Sequence, residues 1–187
     1  MLRQQTPLVK VLIVGAGQVG KTTLVQRYVF NEYLEAAPTI GVNFAQKVCL
    51  GETGPLNLSI WDLSGQSRFR FLMPQFCSGA SAVVLVIDQT RPDTLNEAEV
   101  WLNLVGRYAH PSHQHAIVLA GAKSDLASHI SHEVIRSFCT NHDIFAFIPY
   151  SSKTGSNVNQ VFESLTRAIQ LFQLEGTTPT ASVVFST

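Results

Sequence analysis

The chain is expected to form an α/β domain: a mostly parallel six-stranded sheet with one antiparallel strand and helices on both faces. Three observations carry this expectation. Short β-branched apolar runs recur along the chain, most clearly AVVLVID from Ala82 to Asp88. Between them lie stretches with apolar residues three and four apart, as in Leu95, Ala98, Trp101, Leu102 and Val105. One pair of runs is instead joined by a Gly-rich turn, GETGP, the mark of a hairpin.

The elements follow in order. Val11 to Val14 is a continuous apolar run ending in glycine and reads as a strand covered on both faces. Lys21 to Phe30 sets Leu24, Val25 and Tyr28 at helical spacing. Pro38 and Gly41 interrupt the next stretch and predict a loop. Phe44, Val48 and Leu50, then Leu56, Leu58 and Ile60, alternate as hairpin strands. After the strand at Ala82 come a helix over Thr94 to Tyr108 and a strand over Ala116 to Ala120. A helix over Ser131 to Asn141 follows, with Ser131 as its N-cap. Ile144 to Ile148 reads as a strand and Val158 to Leu174 as a helix. Residues 1–175 are therefore expected to make one domain, with 176–187 as a flexible tail that shows no clean period.

Thirteen Lys and Arg balance thirteen Asp and Glu, so no basic field is present to hold nucleic acid or an anionic membrane. The three cysteines are odd in number and widely spaced, which excludes a disulfide framework and favours a reducing compartment. The opening apolar run, Val9 to Val14 interrupted by Lys10, is too short for a secretion signal. No run approaches the roughly 18 apolar residues that a membrane span needs.

The strongest motif is Gly15-Ala16-Gly17-Gln18-Val19-Gly20-Lys21-Thr22, which fits G-x-x-x-x-G-K-[ST] between a strand and a helix. The glycines let backbone N–H groups turn inward as a nest for phosphate oxygens, and the next helix points its free N–H groups at the same anion. Lys21 reaches the outer phosphates, and Thr22 offers a hydroxyl to Mg²⁺. Forty residues after Thr22, Asp62 ends an apolar strand, where its carboxylate can help hold the metal through its water shell. Gly65 can offer a backbone N–H to a γ-phosphate and hinge the loop, and Gln66 can orient a water for in-line attack.

With these residues in place, the chain resembles a small GTPase of the Ras superfamily, closest to the Rab branch, over about residues 8 to 174. GAGQVGKT, PTIG with Thr39, WDLSGQ, GAKSDL and SSKTG stand in the family's order. IGVNF, IWDLSGQSRFR and IPYSSKTG are similar to Rab phrasing in particular. The resemblance implies a P-loop NTPase fold that binds GTP or GDP with Mg²⁺, hydrolyses GTP slowly and recruits effectors in the GTP state. It implies that Thr22, Thr39 and Asp62 serve the metal, and that Thr39 senses the γ-phosphate. Loss of that phosphate would release the Thr39 loop and the segment from Gly65 toward Gln75. Gln66, Lys21 and Gly65 would carry the hydrolysis.

Nucleotide contacts would come from Gly15, Gly17, Gln18, Val19, Gly20, Lys21, Thr22, Thr23, Tyr33, Thr39 and Gly65. At the base they would come from Lys123, Asp125, Leu126, Ser151, Ser152 and Lys153. Asp125 would accept from guanine, Lys123 would lie over the base and touch the phosphate loop, and the Ser152 N–H would face the guanine oxygen. Phe44, Trp61 and Phe76 resemble the aromatic trio that meets effectors; read alone, they are sheet-face core residues. Exchange and activating proteins are implied as partners, with a monomeric chain in the cytoplasm, peripheral to membranes through a partner.

The departures are specific. Ala122 stands where the family has an asparagine that bonds guanine and ties the base loop to the phosphate loop, and its loss is expected to weaken binding by roughly 1–3 kcal/mol. Restoring asparagine there is expected to tighten GDP and GTP together, unless Ser152 or a water has filled the gap. Thr39 follows Lys21 by 18 positions, one fewer than is usual, and Ala36 falls where a tyrosine often closes over the phosphates. Gln18 is larger than usual, while Gly17, the position most sensitive to bulk, is kept. No cysteine follows Cys139, so a prenyl anchor is not expected on this sequence. The alternative reading is a GTPase-fold interaction module that cycles nucleotide poorly.

Other clusters read as ordinary. His110, His113 and His115 surround a proline without a cysteine or carboxylate, which favours a solvated loop over a metal site. Cys77 and Cys139 sit in apolar surroundings and read as inert, and Arg68 with Arg70 makes no basic stripe.

Overall fold

The computed structural model describes residues 6–34, 37–108 and 115–175; Ala36, His110, His113 and the 176–187 tail lie outside them. The elements are β1 Leu8–Val14, α1 Lys21–Phe30, β2 Val42–Gly51, β3 Gly54–Leu63, a 3₁₀ turn Ser67–Leu72 and α2 Met73–Cys77. There follow β4 Ala82–Asp88, α3 Asp93–Tyr108, β5 Ala116–Ala122, α4 His132–Asn141, β6 Ala146–Pro149 and α5 Val158–Glu175.

The sheet order is β2-β3-β1-β4-β5-β6. Only β2 and β3 pair antiparallel, with Asn43 opposite Asp62 and Phe44 opposite Trp61. The other pairs are parallel. Sequence order departs from β1 to both sides, so the loop after β1 opens at the carboxyl ends of the strands, where the topology reverses. Open α/β sheets bind ligands at that point.

Two apolar layers hold the sheet. On one face Val11, Ile13, Ile60 and Val84 meet Leu24, Phe162 and Leu165 of α1 and α5. Tyr28 stacks on Phe162 there at 3.6 Å and 8°. On the other face Leu12, Val83 and Leu85 meet Leu95, Ala98, Trp101 and Ile135 of α3 and α4. All seven residues of β4 are buried, which is why its sequence is a continuous apolar run. Each such Val, Leu or Ile contributes about 1.5–3 kcal/mol by leaving water.

Several elements differ from expectation. The apolar alternation of β2 points outward: Phe44, Val48 and Leu50 are exposed, and Leu50 is 85% exposed. The inner side of this edge strand carries Ala45, Lys47 and Cys49, because α1 and α5 roof it closely. Lys47 donates to the Tyr28 carbonyl and lies 4.1 Å over its ring, and Cys49 Sγ lies 3.4 Å from Thr166 Oγ1. β6 starts two residues late because the Ile144 N–H turns back to the Cys139 carbonyl (3.0 Å) and closes α4. The segment after Gln66 runs as a 3₁₀ turn without a buried residue, then as a five-residue helix with Pro74 in its first turn.

Ser131 caps α4 as expected, its Oγ accepting the Val134 N–H at 3.3 Å. Cys77 and Cys139 are fully buried, and burial pushes their thiols up to about 11 and about 12. Among the described residues, no helix is long and apolar enough to cross a membrane, and no cluster of His, Cys, Asp or Glu is arranged to hold a metal.

Candidate functional site

β1 delivers the chain into the loop at Gly15, where φ is +143° and an added Cβ would lie 2.2 Å from the Val86 carbonyl oxygen. Only glycine lets the loop lie this close to β4. Gln18 takes a left-handed φ of +62°, a conformation that costs a non-glycine residue about 1 kcal/mol. Gly20 then opens α1, and no side chain caps that helix, so its first N–H groups are left for a ligand. Lys21 is buried, and its Nζ donates to the carbonyls of Gly15 (2.9 Å) and Ala16 (2.6 Å). Burial lowers its pKa to about 8, against the opposing pull of the Asp62 and Glu97 charges.

Beside Lys21, three oxygens converge. The Thr22 hydroxyl donates to Asp62 Oδ2 at 2.6 Å and lies 2.8 Å from Thr39 Oγ1. Asp62 is buried, and its Oδ1 has no hydrogen-bond partner among the described residues. Burial pushes its carboxyl up, opposed by the Thr22 hydroxyl, the Lys21 charge and the nearby Asn43. Hard oxygen donors next to a phosphate nest are the donor set that suits Mg²⁺, so the residues fit this ion.

Gly65 packs on the phosphate loop: a Cβ there would lie 2.4 Å from the Ala16 oxygen and 2.6 Å from the Gly17 nitrogen. A Cβ on Gly17 would meet no atom of the described residues within 4 Å, so the fold itself demands glycine at 15 and 65 rather than at 17. Gln66 is extended and half-buried, with its N–H toward Ser64 Oγ at 3.4 Å. The Ser64 N–H reaches the Gly41 carbonyl (2.9 Å), so the Thr39 and Gln66 segments are joined near the site.

At the far end of the cleft, Lys123 has a left-handed φ of +63° and pairs through Nζ with Asp88 Oδ2 at 2.6 Å. Asp88 also accepts from Thr90 and from Arg91 Nε (3.1 Å), and Arg91 Nη2 donates to the Gly17 carbonyl at 3.1 Å. Burial would raise the Asp88 carboxyl, but the Lys123 and Thr90 hydrogen bonds outweigh it and hold it below the usual range. Asp125, Leu126 and Lys153 are exposed. Ser151 is buried and accepts the Thr154 N–H (3.2 Å), while the buried Ser152 hydroxyl has no partner among the described residues.

These segments surround one cavity of about 940 Å³, lined by residues 17–23, Tyr33, Thr39, Gly65, Gln66, Lys123, Asp125, Leu126 and 151–153. Gly15 and Asp62 are buried and do not line it. Asp88, Arg91 and Tyr150 belong to the site or its support and were not singled out from sequence, and Arg68, weighed there only as part of a basic run, lines the cavity. The polar DQTR, which begins at the last residue of β4, is the signal that points to the first two. Near the Gln66 segment the aromatic trio is contiguous. Phe44 meets Trp61 edge-on at 4.6 Å, Trp61 meets Phe76 at 6.1 Å, and Lys10 Nζ lies 3.6 Å from the Trp61 ring centre. Phe44 is exposed, whereas Trp61 and Phe76 are half-buried against the second core, so the core reading holds for those two and Phe44 stands at the surface.

A glycine nest at a topological reversal, with a lysine inside it and three oxygens beside it, defines a P-loop nucleotide-binding protein. The model of the Ras family matches residues 10–171. The chain is 34% identical over 169 residues to the Ras-related protein RabT1 of Dictyostelium discoideum, covering 87% of this chain and 74% of that protein. It is 36% identical over 169 residues to the GTP-binding protein ypt4 of Schizosaccharomyces pombe, covering 87% and 71%. It is 36% identical over 162 residues to the Ras-related protein Rab-18 of Lymnaea stagnalis, covering 86% and 79%. The chain belongs to the Ras family and is a Rab-like small GTPase.

Proposed function

We propose that this GTPase is a switch in vesicle trafficking that binds GTP and GDP with Mg²⁺, turns GTP over slowly and holds effectors only in the GTP state. The observation that carries the reading is the contact of Thr22, Thr39 and Asp62, which brings three separate segments together beside the phosphate nest. Thr22, Thr39 and Asp62 would hold Mg²⁺ there, and the ion would supply positive charge against the nucleotide's phosphates. The loop amides from Gly15 to Thr23 and the Lys21 ammonium bind the same oxygens and stabilise charge as the outer phosphoryl group transfers. Gly65 presents its N–H beside the loop, and Gln66 orients the attacking water.

Lys123, Asp125, Leu126 and residues 151–153 hold the base, with Tyr33 at its exposed edge. Phe44, Trp61 and Phe76 meet effectors, and the segments carrying Thr39 and Gln66 meet exchange and activating proteins. Residues 1–175 form the working domain, monomeric and cytoplasmic, with the 176–187 tail outside it.

A single-turnover assay tests the hydrolytic assignment. Gln66→Leu is expected to leave GTP affinity within a few-fold and to slow hydrolysis by about tenfold or more, because the water loses its acceptor while the phosphates lose little. An unchanged rate places the chemistry on another residue.

A further inference from the structure

Tyr150 has no exposed surface, lines the cavity and has no part in the roles assigned above. Its backbone brackets the base loop: its N–H donates to the Gly121 carbonyl at 2.8 Å, and its carbonyl accepts the Ser124 N–H at 3.0 Å. Between those two bonds lie Ala122 and Lys123. Its side chain crosses to the phosphate loop, where the hydroxyl donates to the Gly20 carbonyl at 3.3 Å. That carbonyl also accepts the Leu24 N–H (2.9 Å) and the Thr23 hydroxyl (2.9 Å), so Tyr150 joins the hydrogen bonds that start α1. Burial drives the phenol pKa far up, which keeps the hydroxyl a donor.

Three residues meet at this joint. The point where a Cβ on Gly20 would project lies 3.7 Å from the Ala122 Cβ and 3.7 Å from the Tyr150 hydroxyl oxygen. Ala122 is 2% exposed and lines the cavity beside Tyr150, so a longer side chain there would press on this joint or enter the space the nucleotide takes. An asparagine there would add three heavy atoms to a close-packed point, next to the hydroxyl and the Gly20 backbone.

We propose that Tyr150 is a positioning residue of the nucleotide site, setting the base loop against the phosphate loop through Gly20, and that Ala122 is small because the Tyr150 ring holds this place. The pair makes the cross-tie that the family's asparagine would otherwise make. The inference rests on the nucleotide-site reading. It reverses the sign expected from the motif alone, since asparagine at 122 now crowds the joint instead of mending it. Tyr150 acts on the placement of two loops and on neither the γ-phosphate nor the attacking water. Its removal should therefore speed release of GDP and GTP alike.

Stopped-flow release of fluorescent GDP and GTP analogues tests this on the full chain, with thermal midpoints recorded for every variant. Tyr150→Phe, which keeps the ring, is expected to release both analogues faster by the same factor, about 3- to 10-fold, the effect of one neutral hydrogen bond. Ala122→Asn is expected to speed release in the presence of Tyr150 and to slow it when Tyr150→Thr has cleared the space. A general loss of stability would add rather than change sign. Wild-type release rates from Tyr150→Phe, or slower release from Ala122→Asn with Tyr150 intact, would overturn the inference and leave the nucleotide site standing. A wild-type chain that takes up neither analogue would overturn that site together with the inference, and it shows before any variant is compared.

Discussion

Asp88 joins three loops through one carboxylate: Lys123 on the base loop, Thr90 beside it, and Arg91, which continues to the Gly17 carbonyl. Replacing it with asparagine keeps the volume but removes the charge facing Lys123 and Arg91. Because the carboxylate is fully buried, the change is expected to cost about 1–3 kcal/mol at neutral pH. The Asp88 carboxyl is held below its ordinary value in the folded chain. Its contribution is therefore complete above the unfolded value of about 4 and is lost as pH falls through the lower folded value. Urea unfolding of wild type and Asp88→Asn across that range is expected to give curves that differ at neutral pH and converge in acid. A gap that stays constant into acid would assign the loss to packing rather than to charge.

At the scale of elements, α4 is a clean case of local chemistry deciding a boundary. Ser131 holds the N–H of Val134, and the helix buries only Ile135 and Cys139 fully, with Phe138 half-buried beside them. With so small an apolar contribution the cap is a substantial part of what keeps this helix in register. Ser131→Ala is expected to lower stability by about 1 kcal/mol, read as a fall in the thermal midpoint, with nucleotide release unchanged because α4 stands outside the cavity. A fall in nucleotide affinity would tie α4 to the base loop. The phosphate loop was legible in sequence for the same reason as this cap: its residues act on near neighbours. β2 was less so. Its alternation gave a strand, but the register by which Phe44, Val48 and Leu50 face outward depends on α5, more than a hundred residues later.

Across the whole molecule, the contacts least legible in sequence join distant segments. Arg91 reaches Gly17 across 74 positions and Tyr150 reaches Gly20 across 130. No short motif contains such pairs, and Ala122 read alone within GAKSDL signals only a loss. The parallel order was legible because each buried strand is announced by its own apolar run and the reversal at β1 follows from the phosphate loop. What the fold adds is a base loop held by Asp88 and Tyr150, so the alanine at 122 does not by itself imply an empty site.

The central claim is that this Rab-like chain still holds guanine nucleotide. The most direct measurement is to denature the freshly purified protein and identify the released small molecules by chromatography. About one guanine nucleotide per chain, chiefly GDP, is the result expected of a slow GTPase with a sound nucleotide site. A protein that releases none and takes up neither GDP nor GTP when Mg²⁺ is supplied, or one that releases an adenine nucleotide instead, would contradict the account.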